Sequence, residues 1–195
     1  MGRETSPIFF KKGVNRLTLG EAKRKIMIEL DESGEVDVLE NIGDYSSKLP
    51  DIFNTVQKEL AMFCKPVEKV IDITVEGGYL TKPQDCYVIK ALYNGEKNVN
   101  FRLMADRIIA ENGQYKMVYE AIPENIEEDT EDDYEFEIDV DCQEAMIHGV
   151  CAQICINDEP ELYQTYFERY NLAIANINDK LGKSSKLTFI GGVNL

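Results

Sequence analysis

The sequence predicts an α+β fold, in which helices from the two ends of the chain form a small α-helical bundle and an antiparallel β subdomain is inserted between them. Apolar residues recur at helical spacing near both ends, as in Leu19, Ala22, Ile26 and Leu30, and again in Tyr163, Tyr166, Tyr170, Ile174, Ile177 and Leu181. In the middle the period changes to two, with Ile71, Ile73 and Val75 alternating with Asp72, Thr74 and Glu76. Turn signals fall in that same middle stretch, at Gly77-Gly78, Asn94-Gly95 and Asn112-Gly113. The expected organisation is an N-terminal arm over 1–17, a bundle from 18–65 and 141–181, a β insertion over 66–140 and a C-terminal arm over 182–195.

The first helix has a capping box, Thr18 with Glu21, and keeps Lys23, Arg24 and Lys25 largely off its apolar face. Asp31-Glu32-Ser33-Gly34 ends it. The next series, Tyr45, Leu49, Ile52, Phe53, Val56, Leu60 and Phe63, keeps helical spacing across Pro50, so the helix either kinks or begins there. Past Cys64-Lys65-Pro66 the strands begin. Asn112-Gly113 predicts a type I′ hairpin that puts Ile108 and Ala110 on one face with Tyr115, Met117 and Tyr119, leaving Glu111, Gln114 and Lys116 outside. Asn94-Gly95 is a second hairpin candidate, with Asn98 and Asn100 weakening its outgoing strand.

Tyr134, Phe136, Ile138 and Val140 alternate with acids and predict a strand with one wet and one dry face. Asp141 and Glu144 then form an Asp-x-x-Glu cap for a helix to about Ile156. Asp158-Glu159-Pro160-Glu161 starts another, with Asp158 as cap and Pro160 in the first turn. Gly182 is expected to end it, followed by a Ser184-Ser185 spacer and a short β-prone segment with Leu187, Phe189 and Ile190.

Net charge is −15 over 195 residues, unevenly spread: the first seventeen residues carry +3, the last fourteen +2 and the body −20. That balance excludes a binder that works by neutralising phosphates over a broad basic footprint. Between Glu124 and Asp141 there are eleven acids and no Lys or Arg. Such a run is either an exposed loop beside the wet side of one strand, or a surface lining a DNA conduit, with Glu127, Glu128, Asp129, Glu131, Asp132 and Asp133 as the candidate channel-facing acids. Five cysteines without disulfide-scaffold density, and no long apolar run, point to a reduced, soluble, intracellular protein with no membrane contact.

No catalytic constellation is legible, and the expectation is that the chain is not an enzyme and needs no cofactor or metal. His148 is the only histidine, and no glycine-flanked nucleophile accompanies it. His148, Cys151 and Cys155 share a helical face and could begin a zinc site, but without a close Cys-x-x-Cys pair they read better as core. Asp129, Glu131 and Asp133 lack the turn glycine of a calcium loop. Tyr163, Tyr166 and Tyr170, flanked by Glu159, Glu161 and Glu168, read as packing rather than as a base-stacking platform. The apolar and basic residues of the two arms, Phe9, Phe10, Lys183, Lys186, Leu187, Phe189 and Ile190, are the candidate partner-docking groups.

The order of several short strings resembles the head-to-tail connector (adaptor) proteins of tailed bacteriophages, the group that includes the tail tubular protein A type. They are Thr18-Leu19-Gly20-Glu21, Lys48-Leu49-Pro50-Asp51-Ile52-Phe53-Asn54, Glu135-Phe136-Glu137-Ile138, Gln143-Glu144-Ala145, Asn157-Asp158-Glu159-Pro160-Glu161-Leu162-Tyr163 and Tyr170-Asn171-Leu172-Ala173. The resemblance spans roughly Thr18 to Leu181. It implies a structural protein of the virion neck, made in the bacterial host cytoplasm, that forms a homo-oligomeric ring of expected dodecameric symmetry. Its partners would be the portal protein, neighbouring connector subunits and a tail or stopper protein, with double-stranded DNA passing through without specific binding. The alternative is a small acidic ligand-binding or regulatory module, or an enzyme of another kind.

Overall fold

The computed structural model describes residues 16–32, 47–156 and 159–190, with the backbone alone for 31–32 and 183–190. The chain divides into two compact units: a β unit over Pro66–Ile122, and a helical unit from the described residues on either side. The architecture is α+β with an inserted antiparallel β region, as the periodicities predict.

In the helical unit, α1 (Leu19–Glu32) opens with the reciprocal capping box: Glu21 N–H donates to Thr18 Oγ1 and Thr18 N–H to Glu21 Oε2, each at 3.2 Å. Leu19, Ala22, Ile26 and Leu30 are all buried. The next helix, α2 (Leu49–Phe63), begins at Pro50 rather than kinking there, because a proline in the first turn removes only an N–H that has no helical partner. Tyr45, in the series that predicted it, lies outside the described residues. Phe53, Val56 and Leu60 enter the core, but Phe63 is 72% exposed. Cys64, four residues after Leu60, takes the core position that Phe63 was expected to hold.

A 3₁₀ turn (Val140–Cys142) leads into α3 (Gln143–Cys155), and α4 runs Pro160–Ile190. The expected cap at Asp141 is replaced by Asp139, whose side chain accepts from the Asp141 N–H at 3.0 Å. Asp158 lies outside the described residues. Along α4, Tyr166, Tyr170 and Ile177 are buried, while Leu181, the expected end of the stripe, is exposed. Gly182 does not stop this helix. A glycine ends a helix when it adopts positive φ, and Gly182 stays helical, so the backbone continues to Ile190 in place of the expected spacer and β-prone segment.

The β unit holds two sheets. Strands β1 (Val67–Val75), β3 (Cys86–Asn94), β4 (Lys97–Val99) and β7 (Gly113–Ala121) pair in the order β1-β7-β3-β4. Strands β2 (Tyr79–Thr81), β5 (Arg102–Met104) and β6 (Arg107–Ile109) pair in the order β2-β6-β5. The faces fall as the alternation predicts, with Ile108, Tyr115, Met117 and Tyr119 buried in one cluster and Glu111, Gln114 and Lys116 exposed. The pairing does not. β6 lies between β2 and β5, and β7 pairs along its full length with β1, so Asn112-Gly113 joins two sheets instead of turning a hairpin. Asn112 instead accepts the Gly78 N–H through its side chain at 2.7 Å, pinning the Gly77-Gly78 turn. The weaker signal, Asn94-Gly95, does form a hairpin, with Gly95 at φ +59°.

Strands end at Ala121, so the segment from Pro123 to Val140 belongs to the helical unit and not to an insertion reaching residue 140. Tyr134 to Val140 is not a strand of a sheet: the chain bends at Glu137 and Ile138 and enters a 3₁₀ turn at Val140. Its backbone pairs once, Glu135 with Thr18, and Phe136 N–H donates to Leu17 C=O at 3.1 Å. The predicted alternation survives in burial: Phe136 and Ile138 plug the helical core, and Phe136 packs on Phe53 with ring centroids 5.4 Å apart. Val140, the end of the predicted dry face, is exposed because the 3₁₀ turn begins there.

Candidate functional site

The acidic segment between Glu124 and Asp141 is fastened to the rest of the helical unit at three places, the first two through backbone groups that a free loop would leave to water. At the first, Asn54 on α2 acts as a substitute strand: its Nδ2 donates to Ile126 C=O and its Oδ1 accepts the Ile126 N–H, both at 2.8 Å. Gln57, one turn on and fully buried, donates to Glu124 C=O and to Asn54 Oδ1, both at 2.9 Å. Ile126 is thereby drawn into the core while its acidic neighbours stay out.

At the second, the loop caps α1. Leu19 N–H donates to Tyr134 C=O and Gly20 N–H to Asp132 C=O, both at 2.9 Å, satisfying donors that the first turn of a helix cannot satisfy itself. The approach is close: a Cβ on Gly20 would lie 3.0 Å from Asp132 Cβ. Lys23 reaches Asp132 Oδ1 at 2.7 Å across the same junction. The third place is ionic. Lys65 binds Asp139 at 2.7 Å and Asp141 at 2.9 Å, and Lys180 of α4 stands 3.6 Å from Asp141. The Lys65 hydrogen bond holds the Asp141 carboxyl below its usual range. Burial alone would lower the Lys65 ammonium, but its bonds to the two aspartates outweigh that and raise it.

Between these fastenings Glu127, Glu128, Asp129, Glu131, Asp132 and Asp133 are all exposed, on two successive turns closed by Thr130 N–H to Glu127 C=O and Tyr134 N–H to Glu131 C=O, both at 3.1 Å. Glu127, Glu128 and Asp129 also rim an open recess of about 460 Å³ with Ser47, Pro50, Asp51 and Ile126. The arrangement presents fixed negative charge on a fastened loop.

No protein-family model and no curated protein matches this chain.

The other candidates are placed as follows. Phe9 and Phe10 lie outside the described residues, while Lys183, Lys186, Leu187, Phe189 and Ile190 fall on the last turns of the α4 backbone. Cys151 and Cys155 sit in the core, and His148 Nε2 is 3.9 Å from Glu144 Oε1. Burial pushes the Cys142 thiol up to about 12 and raises those of Cys64, Cys86 and Cys151, because a buried thiolate loses its hydration. No cluster of three His, Cys, Asp or Glu side chains able to hold a metal occurs among the described residues. Nor is any helix among them long and apolar enough to cross a membrane. Sequence reasoning missed Asn54 and Gln57 as loop anchors. The available signal was Gln57 itself, a polar residue at a core position beside Phe53, Val56 and Leu60.

Proposed function

We propose that this protein is a structural head-to-tail connector of a tailed bacteriophage, a subunit of a ring below the portal that joins capsid to tail and leaves an opening for DNA. The observation that carries the reading is the acidic loop: six exposed carboxylates held on a fixed frame by Asn54, Gln57 and the first turn of α1. A conduit for a duplex is served by fixed like charge, since repulsion keeps the moving phosphates from adhering and a fastened loop does not fold into the path. The strings that carry the resemblance include these same junctions, Thr18-Leu19-Gly20-Glu21 and the Asn54 end of the α2 motif. In this reading the protein works without catalysis, through many repeated contacts to neighbouring subunits, the portal protein and a tail or stopper protein in the virion neck.

The test is to mix the purified chain with candidate portal complexes and image the products by negative stain. A ring of added density on the portal face is the expected result. Portals that stay bare across the panel, with the chain monodisperse and folded, would overturn the reading. Charge reversal of Glu127, Glu128 and Asp129 to lysine is expected to leave the ring intact and to retain or slow DNA, and particles that eject normally would remove the channel role from this loop.

A further inference from the structure

Two of the five free thiols meet inside the helical unit, where α2 ends and α3 begins. Cys64 follows the last residue of α2 and Cys142 closes the 3₁₀ turn before α3, and both belong to the helical core cluster, Cys64 at 8% exposure and Cys142 at 0%. The Cys142 thiol donates a hydrogen bond to Cys64 Sγ, so the two sulfurs face each other. We propose that this pair is a redox-sensitive lock, a disulfide that a peroxide forms and an added thiol opens.

Independent contacts hold the two positions side by side. Lys65, next to Cys64, binds Asp139 at 2.7 Å and Asp141 at 2.9 Å, and Asp141 adjoins Cys142. Each backbone is fixed as well, since Cys64 N–H donates to Leu60 C=O at 3.0 Å and Cys142 N–H to Asp139 C=O at 2.9 Å. Sulfurs already in hydrogen-bond contact have far less distance to close than cysteines whose Cβ atoms point apart. The remaining thiols are less well placed. Cys86 lies in the β unit, in the other core cluster. Cys151 and Cys155 are one turn apart on α3, where Cβ atoms stand about 5–6 Å from each other, beyond the roughly 3.5–4.5 Å of a disulfide.

Cys64 is the entry point. It is the more exposed of the two, and both the Cys142 S–H and the Lys65 ammonium favour its thiolate against the burial that opposes it. Hydrogen peroxide is small enough to reach so narrow an opening. The Cys64 thiolate attacks one peroxide oxygen and breaks the O–O bond, giving a sulfenic acid and a hydroxide that takes up the proton Cys64 shed. The Cys142 sulfur then attacks the Cys64 sulfur, and its proton leaves with the displaced hydroxyl as a second water. Two thiols are thus oxidised by two electrons and one peroxide is reduced to two waters. Burial makes the bond slow to form, which suits a lock set on leaving a reducing compartment better than a fast sensor. The bond closes a covalent loop over residues 65–141, which contains the whole β unit and the acidic segment, and so it restricts the unfolded chain. The pair serves the helical unit whether or not the chain forms a ring.

The experiment treats the reduced, desalted full chain with hydrogen peroxide, then alkylates it under denaturing conditions and maps the peptides by mass spectrometry. The count of alkylated thiols is expected to fall from five to three, with one peptide pair joining Cys64 to Cys142 within a single chain. The unfolding midpoint should rise by at least about 5 °C and return to its starting value on adding dithiothreitol. Cys86→Ser is expected to keep the cross-link, whereas in Cys142→Ser the reaction should stop at a Cys64 sulfenic acid trapped by dimedone. The map of the parent chain decides the matter even if that second variant fails to fold. Five thiols that survive peroxide, a bond that joins other cysteines or two chains, or a cross-linked chain no more stable than the reduced one overturns the proposal.

Discussion

Ala105 is the one non-glycine residue with positive φ among the described residues, at +55°. It sits in the two-residue turn between β5 and β6, where Met104 pairs with Arg107, and a hairpin that short needs the left-handed conformation at its first central position. An L-residue with a Cβ is strained there. Ala105→Gly is therefore expected to stabilise the β unit by about 0.5–1 kcal/mol, the relief of strain exceeding the added flexibility of the unfolded chain. A raised midpoint in chemical denaturation checks this, and a lowered one refutes it. Lys65 gives the second residue-level expectation. Asp141 is held below 3.8 by Lys65, so the contribution of this pair is present above that value and is lost as pH falls through the lower, folded-state value. Lys65 is held above 10.5, so its own contribution is present below that value and is lost as pH rises through the higher one. Lys65→Met should flatten both limbs, most visibly the acid one, in denaturation midpoints measured across pH. An acid limb as steep as that of the parent protein would show that other carboxylates dominate it. Asp139 and Asp141 are partly exposed, so solvent screening keeps the effect small.

Among elements, α3 is the packing hub of the helical unit, and Gly149 is the residue that lets it approach. A Cβ there would lie 2.9 Å from Val56 Cγ1 on α2 and 3.0 Å from Tyr170 Cε2 on α4. Alanine would improve helix propensity by about 1 kcal/mol, but overpacking two flanking helices costs about 1–3 kcal/mol, so Gly149→Ala is expected to lower the thermal midpoint. Val56→Ala in that background should recover part of the loss, and no recovery would place the cost elsewhere. The elements that were legible in the sequence are those fixed by neighbours in the chain. The Thr18 and Glu21 box, the α1 stripe and the Pro50 start all follow from contacts within four residues. What was not legible depends on distant partners. Asn112-Gly113 is as good a local hairpin signal as a sequence offers, yet nine residues of β1 compete for β7 and prevail. Tyr134 to Val140 has the period of a strand because one face is buried, and burial against helices gives the same alternation as burial in a sheet. For the acidic loop, its exposure could be read from composition. Its fastening could not, since Asn54 and Gln57 lie about seventy residues away from their backbone partners, by the order of separation that loop closure tolerates at modest cost.

At the scale of the whole molecule, α4 poses the question that the core does not answer. Among the residues whose side chains are described, Ile177 is the last buried one on this helix and positions 178–182 are exposed, while the backbone remains helical to Ile190. Thirteen residues beyond Ile177 extend the helix by about 20 Å. A helical segment of that length is marginal in water by itself, so a partner that packs on it would add to its stability. In the proposed ring that partner is the portal protein or a neighbouring connector subunit, and a modest contact repeated around the ring becomes strong through effective concentration. Deleting Lys183 to Leu195 should then leave the thermal midpoint of the isolated subunit nearly unchanged, because among the described residues none of the helical core cluster lies past Ile177. Capture by the portal complex should fall sharply, read as subunits retained per portal after sedimentation. A truncated chain captured as well as the full one would detach the C-terminal segment from assembly, while a large drop in thermal midpoint would make it part of the fold.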